Sequence, residues 1–118
     1  MKVYKFIYKI TNKITGKFYI GKTTKSIQKR FQQHCSKADA GCKELKVDID
    51  KYGKDNFTIE IIDLAVSKQE LQNKERYWIL RTNAIQNGYN KIIPHHIYDP
   101  RPYYFGLTDV YRFKARKS

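Results

Sequence analysis

The chain has 118 residues, enough for one domain and one core, and sets 24 Lys and Arg against 11 Asp and Glu for a net charge of +13. No apolar run approaches the length of a membrane span, and Met1-Lys2-Val3-Tyr4-Lys5 is not a signal peptide, so a cytoplasmic protein without a membrane partner is expected. So large a basic excess attracts polyanions. It is spread along the chain rather than gathered in a tail, and ten Tyr and six Phe accompany it, a combination that favours nucleic acid over a merely well-solvated surface. Cys35 and Cys42 are too few for a disulfide framework. With His34 they lack the paired spacing of a zinc site, and His95-His96 lacks it too.

In chain order, Val3 to Ile10 alternates as a strand does, with aromatic and β-branched residues. Thr11 to Gly16 reads as a turn and Lys17 to Gly21 as a second strand, giving an antiparallel hairpin. A turn centred between Lys13 and Ile14 would set Tyr8 directly opposite Tyr19. Thr23 or Thr24 can cap a helix to about Ala38, with Ile27, Phe31, Cys35 and Ala38 on its apolar stripe. A second helix covers about Cys42 to Tyr52, turning Leu45, Ile49 and Tyr52 inward, and Gly53 ends it. Phe57 to Ile62 is a third strand. Ser67-Lys68-Gln69-Glu70 is a capping box that opens a helix to about Arg81, and Asn87-Gly88 marks a turn.

The order β-β-α-α-β-α predicts an α+β fold, a small three-stranded antiparallel sheet flanked by helices in a sandwich-like arrangement. Pro94, Pro100 and Pro102 break any regular element in residues 91–118. Tyr98, Tyr103, Tyr104, Phe105, Leu107, Val110, Tyr111 and Phe113 are nevertheless too apolar for a disordered tail, so the stretch reads as an ordered extension.

Two helices carry polar residues on apolar stripes. Glu75 lies four after Leu71 and three before Trp78, on the inward stripe that ends at Thr82. A carboxylate there loses solvation unless a basic residue pairs with it or it serves as a metal ligand or catalytic group. Arg30 lies three after Ile27 and His34 four after Arg30, so both flank the first helix's stripe, where both can address a phosphate. An isolated arginine in such a place is often only a snorkelling side chain.

These residues carry a resemblance. Phe6-Ile7-Tyr8 followed by Tyr19-Ile20-Gly21 resembles the paired tripeptide that names the GIY-YIG nucleases. Arg30 and His34 on the next helix, Tyr52-Gly53-Lys54-Asp55-Asn56-Phe57 before the third strand, Glu75 on a later helix and Asn90 after Gly88-Tyr89 follow in the family's order. The likeness covers about residues 3–90, and its one departure is Phe6 in place of the family's first glycine.

The resemblance implies a nuclease domain over residues 1–92, an aromatic and basic extension over 93–118, and an endonuclease that hydrolyses DNA with a divalent cation, Mg²⁺ or another such as Mn²⁺. Phage or mobile-element origin, as in homing endonucleases, fits on family analogy. In such a site Glu75 would hold the metal, since magnesium accepts one protein carboxylate with waters and phosphate oxygens. Arg30 would stabilise phosphate charge, and Tyr8 or Tyr19, near Lys22, would take the water's proton. His34 would orient groups or relay the proton, with Lys22 and Asn90 in substrate binding. Two other readings use the same residues: a module that binds nucleic acid without cutting it, and a pseudo-nuclease interaction domain. Glu75 separates the first from an enzyme, because a pure binder gains nothing from an acid facing a phosphate. The intact set Tyr8, Tyr19, Arg30 and Glu75 argues against the second.

Overall fold

The computed structural model describes residues 5–36, 41–103, 105 and 106. Strand β1 (Lys5–Asn12) lies between β2 (Phe18–Thr23) and β3 (Phe57–Ala65), both antiparallel to it. Helices α1 (Ile27–Ser36) and α2 (Lys43–Tyr52) precede β3; α3 (Lys68–Arg81) and the short α4 (Ala84–Asn87) follow it. The expected order and sheet are therefore present, with a 3₁₀ turn at Lys54–Asn56 and α4 in addition.

Strand alternation gives the sheet two buried faces. Tyr8, Ile10, Tyr19 and Phe57 pack with Leu45 and Ile49 of α2, and Ile27 and Phe31 of α1 close over them. Ile7, Ile20 and Ala65 pack on the other face with Leu71 and Ile79 of α3 and Ala84 of α4. The third strand carries a bulge: Ile7 pairs with Asp63 but Tyr8 pairs with Ile61, so Ile62 is an extra residue. It sends Asp63 to the α3 face, where Lys74 Nζ lies 3.2 Å from its Oδ1 and Trp78 Nε1 donates to its Oδ2 at 2.8 Å.

The hairpin register differs from the expected one. Tyr8 pairs with Gly21, and Tyr19 with Ile10, so the two tyrosines share a face but sit diagonally, ring centroids 6.3 Å apart. The turn itself explains this. Asn12 Oδ1 accepts from the backbone N–H of both Ile14 and Thr15, and Asn12 and Lys17 close a four-residue loop in place of a two-residue turn. The loop moves the register by two and places Gly21 beneath Tyr8, where a Cβ would come within 2.4 Å of the tyrosine ring and hydroxyl. Phe6, the departure from the family tripeptide, pairs with Thr23 nearer the sheet's end and is only half-buried.

Helix boundaries shift for similarly local reasons. The cap of α1 is Ser26, whose Oγ accepts from Lys29 N, while Thr23 Oγ1 is taken by Lys25 N; the expected end near Ala38 lies outside the described residues. At α3, Ser67 Oγ accepts from Glu70 N as a capping box requires, but the Glu70 carboxylate returns to Val66 N.

After α4 the chain seals the outer edge of β2. Tyr89 N donates to Phe18 O at 2.7 Å, and Gly88 approaches so closely that a Cβ would meet Phe18 O at 2.2 Å. Beyond Asn90 it lies along α3. Arg76 donates to Pro94 O, Gln72 to His95 O, and the Asn73 amide both donates to Ile97 O and accepts from Ile97 N. Tyr77 stacks on Phe105 at 4.0 Å between centroids. Tyr104 and the residues from Leu107 onward, including the basic end Arg112 to Lys117, lie outside the described residues. Among the described residues no helix is long and apolar enough to cross a membrane.

Candidate active site

Tyr8, Arg30 and His34 form one hydrogen-bonded chain. The Arg30 guanidinium donates from Nε to Tyr8 Oη at 3.1 Å and from Nη1 to Gln33 Oε1 at 2.9 Å. Tyr8 Oη lies 2.7 Å from His34 Nε2. Burial, helped by the Arg30 charge, pushes His34 down to about 4, so the ring is neutral near pH 7 and shares a single proton with the Tyr8 hydroxyl. Burial also raises Tyr8 to about 12, against the pull of Arg30. His34 is the one fully buried residue of α1, held edge-on to both tyrosine rings.

Tyr19 lies diagonally beside this chain and is raised further, first by burial and then by Tyr8 and Glu75. Gly41 covers the group. A Cβ there would come 2.8 Å from Tyr19 Oη and 3.0 Å from His34 Cε1, and its φ of +127° is one that glycine tolerates.

Glu75 reaches the same place from the opposite side of the sheet. Alternation puts Lys22 on the α3 face of β2, away from the tyrosines, and its Nζ lies 3.6 Å from Glu75 Oε1. Lys22 therefore partners the acid, not the tyrosines that were expected to need its charge. Glu75 is raised by burial despite the opposing pull of Lys22 and Arg30. Its side chain retains 12% exposure. It opens with Tyr19 onto a cavity of about 710 Å³. Lys22 and Arg30 line a separate hollow of about 280 Å³. Arg30 and Glu75 form no salt bridge; Glu75's one ion pair among the described residues is the long one to Lys22.

Asn90, expected in substrate binding, is placed otherwise. Its Oδ1 accepts from Ile20 N at 2.9 Å and its Nδ2 donates to Ile20 O at 2.8 Å, so the amide is a clamp on β2. It satisfies two backbone groups that the sheet leaves open at this edge.

Sequence reasoning missed Gln33, which holds Arg30, and Gly41, which covers the tyrosines. Gln33 lies three after Arg30 on one helix face, a spacing that could have shown it. Nothing in the sequence singles out Gly41.

The chain is similar to known proteins in sequence and in fold. Residues 4–90 match the model of the GIY-YIG catalytic domain. Intron-associated endonuclease 1 of Enterobacteria phage T4 is 31% identical over 88 residues, 71% of this chain. The match spans only 35% of that relative, so the chain corresponds to about a third of its length. Two solved structures share the fold. A mutant of the catalytic domain of intron endonuclease I-TevI has a TM-score of 0.66 and 25% identity, covering 79% of this chain and 98% of that one. The catalytic domain of homing endonuclease I-TevI has a TM-score of 0.61 and 28% identity, with 75% and 98% covered.

Proposed function

Because the chain belongs to the GIY-YIG family, we propose that it is a metal-dependent endonuclease of mobile-element type that hydrolyses DNA phosphodiester bonds. The observation that carries this reading is Glu75: a desolvated carboxylate that opens onto a cavity with Tyr19 and, among the described residues, has only a long ion pair to Lys22. Residues 1–92 form the catalytic unit in this reading and 93–118 an extension of it.

The donor set fits a hard divalent ion. Among the described residues no three His, Cys, Asp or Glu side chains gather, so an ion at Glu75 would take its other ligands from water and phosphate, as Mg²⁺ and Mn²⁺ accept. Such an ion, when bound, supplies positive charge for phosphate oxygens and for a water losing its proton. The chain's own groups do the rest. Arg30, fixed by Tyr8 and Gln33, neutralises charge that grows on the scissile phosphate. Tyr19, which faces the cavity, orients the attacking water and can take its proton only as a tyrosinate, after giving its own phenolic proton to solvent in the cavity; Tyr8 is sealed behind it and serves to aim Arg30. His34 shares a hydrogen bond with the Tyr8 hydroxyl and so fixes its position. Lys22 moves from Glu75 to the incoming phosphate. The net charge of +13 draws the duplex to the site.

Incubation with supercoiled plasmid, with and without Mg²⁺, tests the reading. Cleavage should need the ion, and Tyr19→Phe should lose at least about a hundredfold in rate. Metal-independent cutting, or DNA bound and never cut, would reject it, the second outcome favouring a binding module.

A further inference from the structure

The cavity beside Glu75 is larger than a phosphate needs, and aliphatic side chains form part of its wall. Its volume of about 710 Å³ lies in the range that encloses a drug-sized ligand. Away from Glu75 and Tyr19 its walls include Val47 of α2, Ile79 of α3, and Ile92 and Pro94 of the strap that follows Asn90. Two of these stand out into solvent: Val47 is 54% exposed and Ile92 76%. The strap is not loose there, because Arg76 holds Pro94 O at 2.8 Å and Glu44 holds Lys91 at 3.0 Å. Aliphatic side chains held out at the mouth of a site, in a chain of net charge +13, call for an occupant that is itself both anionic and apolar.

A nucleotide in a DNA strand meets that description, with a charged phosphate and flat, apolar faces on the base. We propose that this cavity is a nucleoside subsite: it receives the base of the nucleotide next to the scissile phosphate, unstacked from the duplex and seated between Val47 and Ile92. Aliphatic side chains that enter a base step unstack it and bend the duplex, and a base taken from the stack needs an apolar slot to occupy. Of the lining lysines, Lys91 is engaged by Glu44, which also lines the cavity, and Lys43 is placed to hold the flanking backbone. Aliphatic walls accept any base face, so the subsite contributes deformability, not direct sequence readout.

This inference rests on the DNA-cleaving reading. The test uses the intact chain and duplexes carrying 2-aminopurine at successive positions around the mapped cut, without divalent ion so that binding precedes cleavage. A fluorescence rise of about threefold or more is expected at one position flanking the cut, as an unstacked base gives. The double variant Val47→Ser, Ile92→Ser replaces exposed side chains and should stay folded. It should lose that rise and cut intact duplex about tenfold more slowly. A mismatch at the signalling position, which lowers the cost of unstacking, should restore most of its rate. Cleavage by the wild type with no rise at any position, or a variant that cuts intact duplex normally, would overturn the subsite and leave the nuclease reading standing. A wild type that cuts no DNA would remove the reading beneath it.

Discussion

Two lysine–carboxylate pairs meet at neighbouring residues of α3, and they are built in opposite ways. Lys74 and Asp63 are sealed at 3.2 Å, and every remaining bond is made inside the protein: Lys74 Nζ to Leu64 O at 2.7 Å, Trp78 Nε1 to the second carboxylate oxygen. Glu75 and Lys22 stand 3.6 Å apart, with 40% of the lysine side chain exposed, and the acid opens onto a cavity. The first pair joins helix to sheet. The second leaves a carboxylate both desolvated and reachable, which is what a metal ligand or catalytic group requires. Two ion pairs anchored on one helix thus divide by whether their hydrogen-bonding capacity is filled from within.

The largest effect should come from breaking the sealed pair. Asp63→Ala leaves Lys74 buried with only the longer ion-pair contact to Glu70 at 3.6 Å, and should cost about 3 kcal/mol in urea unfolding. Replacing both partners, as Asp63→Leu with Lys74→Met, should recover most of that loss, since a buried ion pair is often worth little against an apolar one of similar size. A double variant as unstable as the single would show that the lost bonds to Trp78 Nε1 and Leu64 O, and not the unpaired charge, carry the cost.

Asn90 sharpens the comparison from the β2 side. Asn90→Ala strips partners from Ile20 N and O, and should cost about 2 kcal/mol, read as a lower midpoint in thermal or urea unfolding. At a temperature where the variant stays folded, its KM for DNA should change less than threefold. A large rise in KM with unchanged stability would place the amide on the substrate instead.

The smallest effect concerns His34, a sealed group beside the open one. It is pushed down to about 4 in the fold, while an unfolded histidine titrates near 6.5. As pH falls from 6.5 toward 4 the unfolded chain therefore takes up a proton that the native state refuses, and stability drops. Between pH 7 and 5.5 this contributes about 1 kcal/mol. His34→Gln should flatten that part of the stability profile; an unchanged slope would mean that the native imidazole takes up protons just as the unfolded one does.

Much of this was readable before the coordinates, and the failures have local causes. Glu75, Arg30 and His34 stood out because helical periodicity makes a polar residue on an apolar stripe visible, and the fold brings them with the tyrosines to one end of β2. The hairpin register did not stand out, because Asn12 builds its turn with a side chain that bonds the backbone two and three residues on, and loop length follows from that bond. Asp63 was hidden by the bulge at Ile62, which changes the face on which every later residue of β3 falls. Lys74 went unnoticed since a lysine reads as solvated unless its partner is known. The duty of Asn90 was invisible for a further reason: its partners are backbone atoms of Ile20, which have no signature in the sequence.

The central claim is that Glu75 serves chemistry and not the fold. Its direct test is Glu75→Ala, measured both for unfolding free energy and for single-turnover cleavage of DNA in Mg²⁺. The account predicts stability within about 1 kcal/mol of the wild type, retained DNA binding, and cleavage lower by at least about a thousandfold. A variant that unfolds as readily as Asp63→Ala, or one that cuts DNA at the normal rate, would contradict it.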